Sequence, residues 1–355
     1  LAYWALLAWR GGIRILWLIL ALCAAAVLTG ILGLWALTAG GYSAAPAADS
    51  YYLHFLTAIK AFPFYMRKMF LPVNLSAFYP TSAAAGLLDP GVLWGLAMLV
   101  AQIAVLFLVK IRMVRFILLW YLLSLLPVLQ FFPTPAPSFC ADRYAYIPSV
   151  PFAIAPAVIL WQVRLALVRR GVPALASVLV AAGVLYAGAL GAATWSRNRT
   201  WLSSETLWRD VLDKYPAETL ALGNLGQYYF DSGDVLRSMD YFREAAKSNE
   251  GFLTAYYNLA LAYERTGDPL KAREYYLKTC LRPTALTDRT TVELRGNAAL
   301  GLARIYFSER KFRTARAYAE AAKEFRPSLA AASDFYVQAD NAIKESKSLA
   351  DDLIK

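Results

Sequence analysis

Two stretches of this chain, GNLGQYYFDSGD (Gly223–Asp234) and YNLALAYERTGD (Tyr257–Asp268), superpose at a separation of 34 residues. The same offset carries Tyr241-Phe242 onto Tyr275-Tyr276. A third copy, LARIYFSERKFRTARAYAEAAKEFRP, aligns after about nine extra residues around Pro283–Thr291. A fixed period of this length marks a supersecondary unit that cannot bury its apolar face alone. Neighbouring copies must therefore stack, and the chain here can only be a solenoid of helix pairs.

The residue types agree position by position. Leu225-Gly226 and Leu259-Ala260 put a small residue where two helices approach closely, with Tyr229, Tyr263 and Tyr306 filling the space behind. Gly233-Asp234 and Gly267-Asp268 turn the chain between helices. Ala272 and Ala315 are small where the second helix packs, with Ser238 at that place in the first copy, and Pro327 ends the third. The pattern is identified as the tetratricopeptide repeat, in three copies over 219–252, 253–286 and 296–329. The segment 196–218, containing RTWLSSETLWRDVLDKYP, reads as one linking helix with Ser203 or Ser204 near its start. The segment 330–355 reads as a charged amphipathic helix that caps the stack. Such stacks expose a concave groove for peptides or partner proteins and carry no chemistry of their own.

The first part of the chain has a different character. Of 355 residues, 59% are hydrophobic, and the apolar ones concentrate before Trp195. Up to that point twelve basic residues face only Asp49, Asp89 and Asp142, an excess of +9. Beyond it, 24 basic residues face 22 acidic ones, which completes the overall +11. The basic excess thus sits in loops between apolar runs, as membrane topology uses it, and a nucleic-acid partner is excluded. The runs are Ile13–Ala39, Val92–Val109, Phe116–Phe132, Pro148–Val163 and Pro173–Trp195. They predict a transmembrane domain over 1–195 of about five full helices and a truncated one, because about 20 apolar residues cross a bilayer. Pro127, Pro151 and Pro156 are tolerable inside such helices if neighbours satisfy the freed carbonyls. The fold class expected is all-α: a polytopic helix bundle followed by an α-solenoid. A chain that starts at Leu1 inside LAYWALLAW reads as the C-terminal portion of something longer.

Alternate loops WRGGIR, KIRMVR and QVRLALVRR hold eight basic residues and no acid. The opposite loops, Gly40–Gly91 and Pro133–Ile147, hold four basic residues and all three acids. The positive-inside rule places the first set in the cytoplasm and the repeats on the periplasmic or lumenal side. A bacterial inner membrane is the favoured setting. Cys23, Cys140 and Cys280 read as lone thiols, with a Cys140–Cys280 disulfide as the alternative, and His54 alone makes no His-rich metal site.

Two outer segments hold the candidate ligand-binding residues. Tyr51–Pro80 contains a predicted helix near 51–70, interrupted at Pro63 and lying in the interface, with Arg67 and Lys68 reaching lipid headgroups. Its alternative is a simple packing helix. The stretch CADRYAYIPS places Asp142, Arg143, Tyr144 and Tyr146 at the entry to a membrane helix. There an arginine pairs with phosphate and tyrosines stack on a sugar, or the group is an interfacial anchor in which Asp142 and Arg143 neutralise each other. The triplets Asn74-Leu75-Ser76 and Asn198-Arg199-Thr200 fit the glycosylation acceptor pattern. No phosphate-binding glycine loop, nucleophile elbow or metal-ligand spacing occurs.

The order of these parts, with RYAYIP, FPFYMRKMFLPVNLSAFYP and the junction RNRTW…LW…YP ahead of the repeats, resembles the transmembrane-and-tetratricopeptide-repeat (TMTC-like) proteins over about Tyr51 to Lys355. That resemblance implies a GT-C-type glycosyltransferase, which moves a sugar from a polyprenyl-phosphate donor to a hydroxyl on a protein or other acceptor. It implies that Arg143 contacts the donor phosphate, that Tyr144 and Tyr146 shape the pocket beside Asp142, and that Arg67 and Lys68 are further contacts. The family's acidic residue, a base or a ligand to a divalent metal, lies in a first outer loop that nothing in this sequence matches. Neither Asp49 nor Asp89 is promoted to that role, and no catalytic residue is assigned. The rival reading is a non-catalytic, membrane-anchored repeat scaffold. A transporter is disfavoured, since the apolar runs contain almost no charge.

Overall fold

The computed structural model describes residues 48–80, 86–109, 111–126, 129, 140–282 and 289–354. Among the described residues the secondary structure is helical with no strand, and the chain divides into two compact units, Leu1–Arg199 and Thr200–Lys355. The run Ile13–Ala39 and Cys23 lie outside the described residues.

In the first unit, helix α1 (Ala48–Phe70) runs through Pro63 without a break, correcting the expected interruption. Proline leaves the carbonyl four residues earlier without its helical donor. Gly95 of α2 (Pro90–Leu108) packs directly on that carbonyl of Ile59, where a Cβ would come within 2.3 Å of the oxygen. The start of α2 is fixed by Asp89, whose Oδ1 accepts from the Gly91 N–H at 2.8 Å while Oδ2 pairs with Lys60 at 3.0 Å. Helix α1 buries Leu56, Phe62 and Tyr65, so it packs within its unit. Tyr121 of α3 (Arg112–Leu125) meets the Phe62 ring edge-on at 5.4 Å.

Helix α3 is described from Arg112 to Leu125; most of the rest of the expected run to Phe132 lies outside the described residues. A 3₁₀ turn, Asp142–Ala145, leads into α4 (Tyr146–Arg169), which contains Pro151 and Pro156 and begins two residues earlier than expected. The basic stretch QVRLALVRR, expected as a loop, forms the last turns of α4. The actual turn is Arg170-Gly171-Val172, where Gly171 takes φ 76°, before α5 (Pro173–Asn198). Among the described residues three segments are long and apolar enough to cross a membrane: Pro90–Leu108, Asp142–Arg169 and Pro173–Trp201.

The second unit stacks helices α6 (Ser204–Lys214), α7 (Thr219–Asp231), α8 (Val235–Ser248), α9 (Leu253–Arg265), α10 (Pro269–Leu281), α11 (Arg289–Ser308), α12 (Phe312–Phe325) and α13 (Ala330–Ile354). The linking helix expected with Ser203 or Ser204 near its start is α6, and Ser203 is its N-cap. The 3₁₀ turn Arg199–Trp201 precedes α6, whose start is a reciprocal cap. Ser203 Oγ accepts from the Thr206 N–H at 3.1 Å, and Thr206 Oγ1 accepts from the Ser203 N–H at 3.2 Å. The pair satisfies two helix-end donors locally, so the helix begins there.

Small residues set the helix spacing. A Cβ on Gly226 would lie 2.6 Å from the Phe242 ring, and one on Gly301 would lie 2.6 Å from the Tyr276 ring. Asp234 and Asp268 cap α8 and α10 by accepting from the N–H groups of Arg237 and Lys271. The glycines before them take φ 89° and 78°. In the third copy Arg310 holds the same left-handed conformation at φ 59°, and Lys311 provides no side-chain cap. Helix α11 starts at Arg289, so the third copy reaches upstream of the expected boundary at 296.

Candidate functional site

Each repeat carries the same aromatic joint. Tyr229 stacks on Tyr241, Tyr263 on Tyr275 and Tyr306 on Tyr318, with centroids 5.5, 5.4 and 5.4 Å apart and planes within 5°, 17° and 6° of parallel. The first tyrosine sits on the first helix of a pair and the second on its partner. A cation covers each joint: Arg237 over Tyr229, Lys271 over Tyr263, and both Arg273 and Lys311 over Tyr306. Side chains from the preceding helix reach the hydroxyls. Arg209 donates to Tyr229 at 2.7 Å, and Arg243 donates to Tyr263 at 3.3 Å. Tyr229 in turn donates to Glu205 at 2.6 Å, and this bond holds the Glu205 carboxyl below its ordinary value.

The first helices of the pairs, α7, α9 and α11, run side by side. Asn258 donates to Gln227 at 3.3 Å, and Arg265 donates to the Phe230 carbonyl at 3.1 Å, both from α9 to α7. Tyr257 stands between α9 and α11, where burial raises its phenol while the charges of Arg304 and Arg326 act in the opposite direction. Tyr276 donates to Glu264, and Arg326 donates to Asn297. Apart from the buried Tyr276, amide, phenol, carboxylate and guanidinium groups thus line this face at partial exposure.

The ligand-binding candidates of the first unit fall into two groups. Asp142 is the hub of one: its Oδ1 accepts from the Tyr79 hydroxyl at 2.8 Å and its Oδ2 from the Ser76 N–H at 3.2 Å. Lys68 is buried and donates to the carbonyls of Val73 and Asn74 at 2.6 and 2.8 Å, lying over the Tyr79 ring. It therefore ties the 71–80 loop together, where headgroup contact was expected. Tyr65 completes the joint by accepting from the Ala141 N–H at 3.2 Å. The second group faces outward. Arg143 is exposed and lies over the Tyr144 ring at 5.0 Å, Tyr146 is exposed, and Arg67 is exposed beside a cleft lined by Pro63, Phe70, Trp94 and Met98. Asp142 and Arg143 do not neutralise each other: Asp142 is occupied by Ser76 and Tyr79. Cys140 is buried and Cys280 partly buried, and the two form no disulfide. Among the described residues no three His, Cys, Asp or Glu side chains are grouped to hold a metal ion.

Residues 195–251 and 224–285 match the family model described as "Tetratricopeptide repeat". The solenoid is built of tetratricopeptide repeats. Among solved structures, "Crystal structure of MamA protein" is similar at 18% identity over 44% of this chain and 84% of that one, with a TM-score of 0.33. "Crystal structure of MamA" is similar at 15% identity over 40% and 88%, with a TM-score of 0.29. No curated protein matches the sequence.

The tetratricopeptide pattern extends further toward the N-terminus than the three copies first read. Helix α6 takes the place of a second helix, with Trp208, Phe242 and Tyr276 falling 34 residues apart and Arg209 repeating the role of Arg243. The signal was the spacing itself, masked because α6 has no first helix ahead of it within the solenoid. At the other end α13 takes a first-helix place, and Asp340 accepts from Arg316 at 2.7 Å.

Proposed function

We propose that this chain is a membrane-anchored tetratricopeptide-repeat scaffold that holds a protein partner on the face formed by α7, α9 and α11. The observation that carries the reading is the repeat stack itself, with three equivalent tyrosine joints supporting a polar, partly exposed inner face. Anchoring is supported by three helices of membrane-crossing length, and an outer, periplasmic or lumenal placement of the repeats by the charge asymmetry of the loops. A photo-crosslinking residue at Tyr257 or Arg304 tests partner binding. Specific adducts from those positions, absent from a control at exposed Glu274 on α10, support the scaffold; equal labelling from all three refutes it.

A second reading, the C-terminal portion of a GT-C-like glycosyltransferase, has one observation in its favour. The two segments that carry the resemblance fold onto each other, through Asp142 with Ser76 and Tyr79 and through Tyr65 with Ala141. In that reading the exposed Arg143, flanked by Tyr144, meets the phosphate of a polyprenyl-phosphate sugar, with Arg67 as a second contact. The acceptor then sits on the repeats. Sugar transfer measured on a longer protein containing this chain decides it: unchanged transfer by Arg143→Ala removes the reading, and loss of transfer with intact folding supports it.

A further inference from the structure

Tyr257 on α9 stands where side chains of four helices meet. Its ring lies 6.0 Å from the ring of Tyr276 on α10, and Tyr276 packs on Gly301 of α11, where a Cβ would come within 2.6 Å of it. Asn297 is one turn before Gly301 and Arg304 one turn after it, so both stand beside the tyrosine pair. Arg326, at the end of α12, reaches the same place, where its Nη1 donates to Asn297 Oδ1 at 3.2 Å. Two guanidinium groups from different helices thus flank one half-buried phenol. The acceptors of this cluster are engaged and its donors are not. Glu264 accepts from Tyr276 at 2.7 Å, Asn297 accepts from Arg326, and Glu293, one turn before Asn297, accepts from Arg289 at 2.9 Å. Among the described residues neither the Tyr257 hydroxyl nor the exposed Arg304 guanidinium makes a hydrogen bond or ion pair, and Arg326 makes only the one to Asn297.

We propose that this cluster seats a carboxylate from an acidic segment of the partner protein, held between Arg304 and Arg326 with the Tyr257 hydroxyl donating to it. A carboxylate brings two acceptor oxygens and no donor, which complements a phenol and two guanidinium forks that have donors open. Net charge alone would not decide this, since Arg304 and Arg326 stand against Glu264. The open donors decide it: a basic segment brings only more donors, and a neutral amide brings one acceptor oxygen to three donor groups. Beside the cluster Asn258 donates to Gln227 at 3.3 Å, while its own Oδ1 accepts from no described residue. A peptide N–H supplies the donor that this oxygen needs and a phosphate ester does not, which favours a polypeptide over a lipid or nucleic acid. The inference rests on the scaffold reading above and adds to it the chemistry of the partner.

The test uses the full chain in phosphatidylcholine nanodiscs and reads the fluorescence anisotropy of labelled hexaglutamate, with hexaglutamine and hexalysine as comparison probes. Hexaglutamate is expected to bind and the other two to bind at least about tenfold more weakly. Arg304→Gln should weaken hexaglutamate by about tenfold, and Tyr257→Phe, which keeps the ring, by about fivefold. Lys247→Gln, which removes an equal charge from an exposed position on α8, is the control and should leave binding unchanged. Arg304 is exposed, so its substitution should not move the unfolding midpoint, and binding lost with an unchanged midpoint reports the site itself. Equal weakening by Lys247→Gln and Arg304→Gln overturns the proposal, because net charge then explains the binding. Hexaglutamate that fails to bind, or binds no better than hexaglutamine, overturns it too. The photo-crosslinker at Tyr257, with and without Arg304→Gln, separates the two readings. Labelling no more specific than that from Glu274 defeats the scaffold, whereas specific adducts that survive Arg304→Gln unchanged defeat the acidic segment alone.

Discussion

Tyr263 lies flat on Tyr275, centroids 5.4 Å apart, and receives a hydrogen bond from Arg243 of the preceding repeat. One side chain therefore joins the two helices of its own repeat and links that repeat to the one before. Because Tyr229 and Tyr306 stand in equivalent stacks, the joint is a property of the repeat.

Tyr263→Ala is expected to destabilise the solenoid by about 4 kcal/mol, since it empties a nearly buried aromatic site and removes a stacked pair. Tyr263→Phe keeps the stack and loses only the Arg243 hydrogen bond, at about 1 kcal/mol. Hydrogen exchange of α9 and α10 amides measures both, and equal effects from the two variants would contradict the assignment.

Gly226→Ala is expected to cost about 1–3 kcal/mol, because the new methyl group meets the fully buried Phe242 ring. The double variant with Phe242→Leu should recover part of that loss. A thermal unfolding series on the four members of the cycle gives the coupling directly.

Asp142→Ala removes the nearest acceptor of the Tyr79 hydroxyl, which keeps only the Asn74 carbonyl at 3.4 Å, and one of the two acceptors of the Ser76 N–H; it is expected to cost about 1–2 kcal/mol and to loosen the 71–80 loop. Arg143→Ala touches only the Tyr144 ring and should leave exchange in that loop unchanged. Exchange mass spectrometry on the two variants separates a folding role at 142 from a surface role at 143.

Burial pushes the Cys280 thiol up from its ordinary value of 9.0 to about 11. Near neutral pH the thiolate is therefore far scarcer than for a free cysteine, and alkylation of the folded chain should be slower by on the order of 100-fold. The sign for stability follows. A raised folded value contributes stability that is complete below the ordinary thiol value and is lost as pH rises from about 9 toward 11. Unfolding midpoints across that range check it, with Cys280→Ala as the variant that flattens this part of the profile.

Much of the architecture was legible before any coordinates. The 34-residue period required paired helices, Gly233 and Gly267 marked the turns between them, and the runs Val92–Val109, Pro148–Val163 and Pro173–Trp195 marked helices of crossing length. The misreadings share one cause. Pro63 and the basic end of α4 were judged from local propensity, and each was decided by its surroundings. Gly95 lies against the carbonyl that Pro63 frees, and the turn at Gly171 lets α4 run on through its arginines.

The candidate ligand-binding residues divide along the same line. Sequence alone brought Arg67, Lys68, Asp142 and Arg143 forward as charges in apolar surroundings, because a charge there is costly unless it has work to do. It could not say which of them face outward. Only the tertiary structure turned Lys68 onto the carbonyls of Val73 and Asn74 and Asp142 onto Ser76 and Tyr79, and left Arg67 and Arg143 exposed. Periodicity is written locally and survives in the sequence. The partners of Asp142 lie more than sixty residues away in the chain, and that contact exists only once the segments have packed.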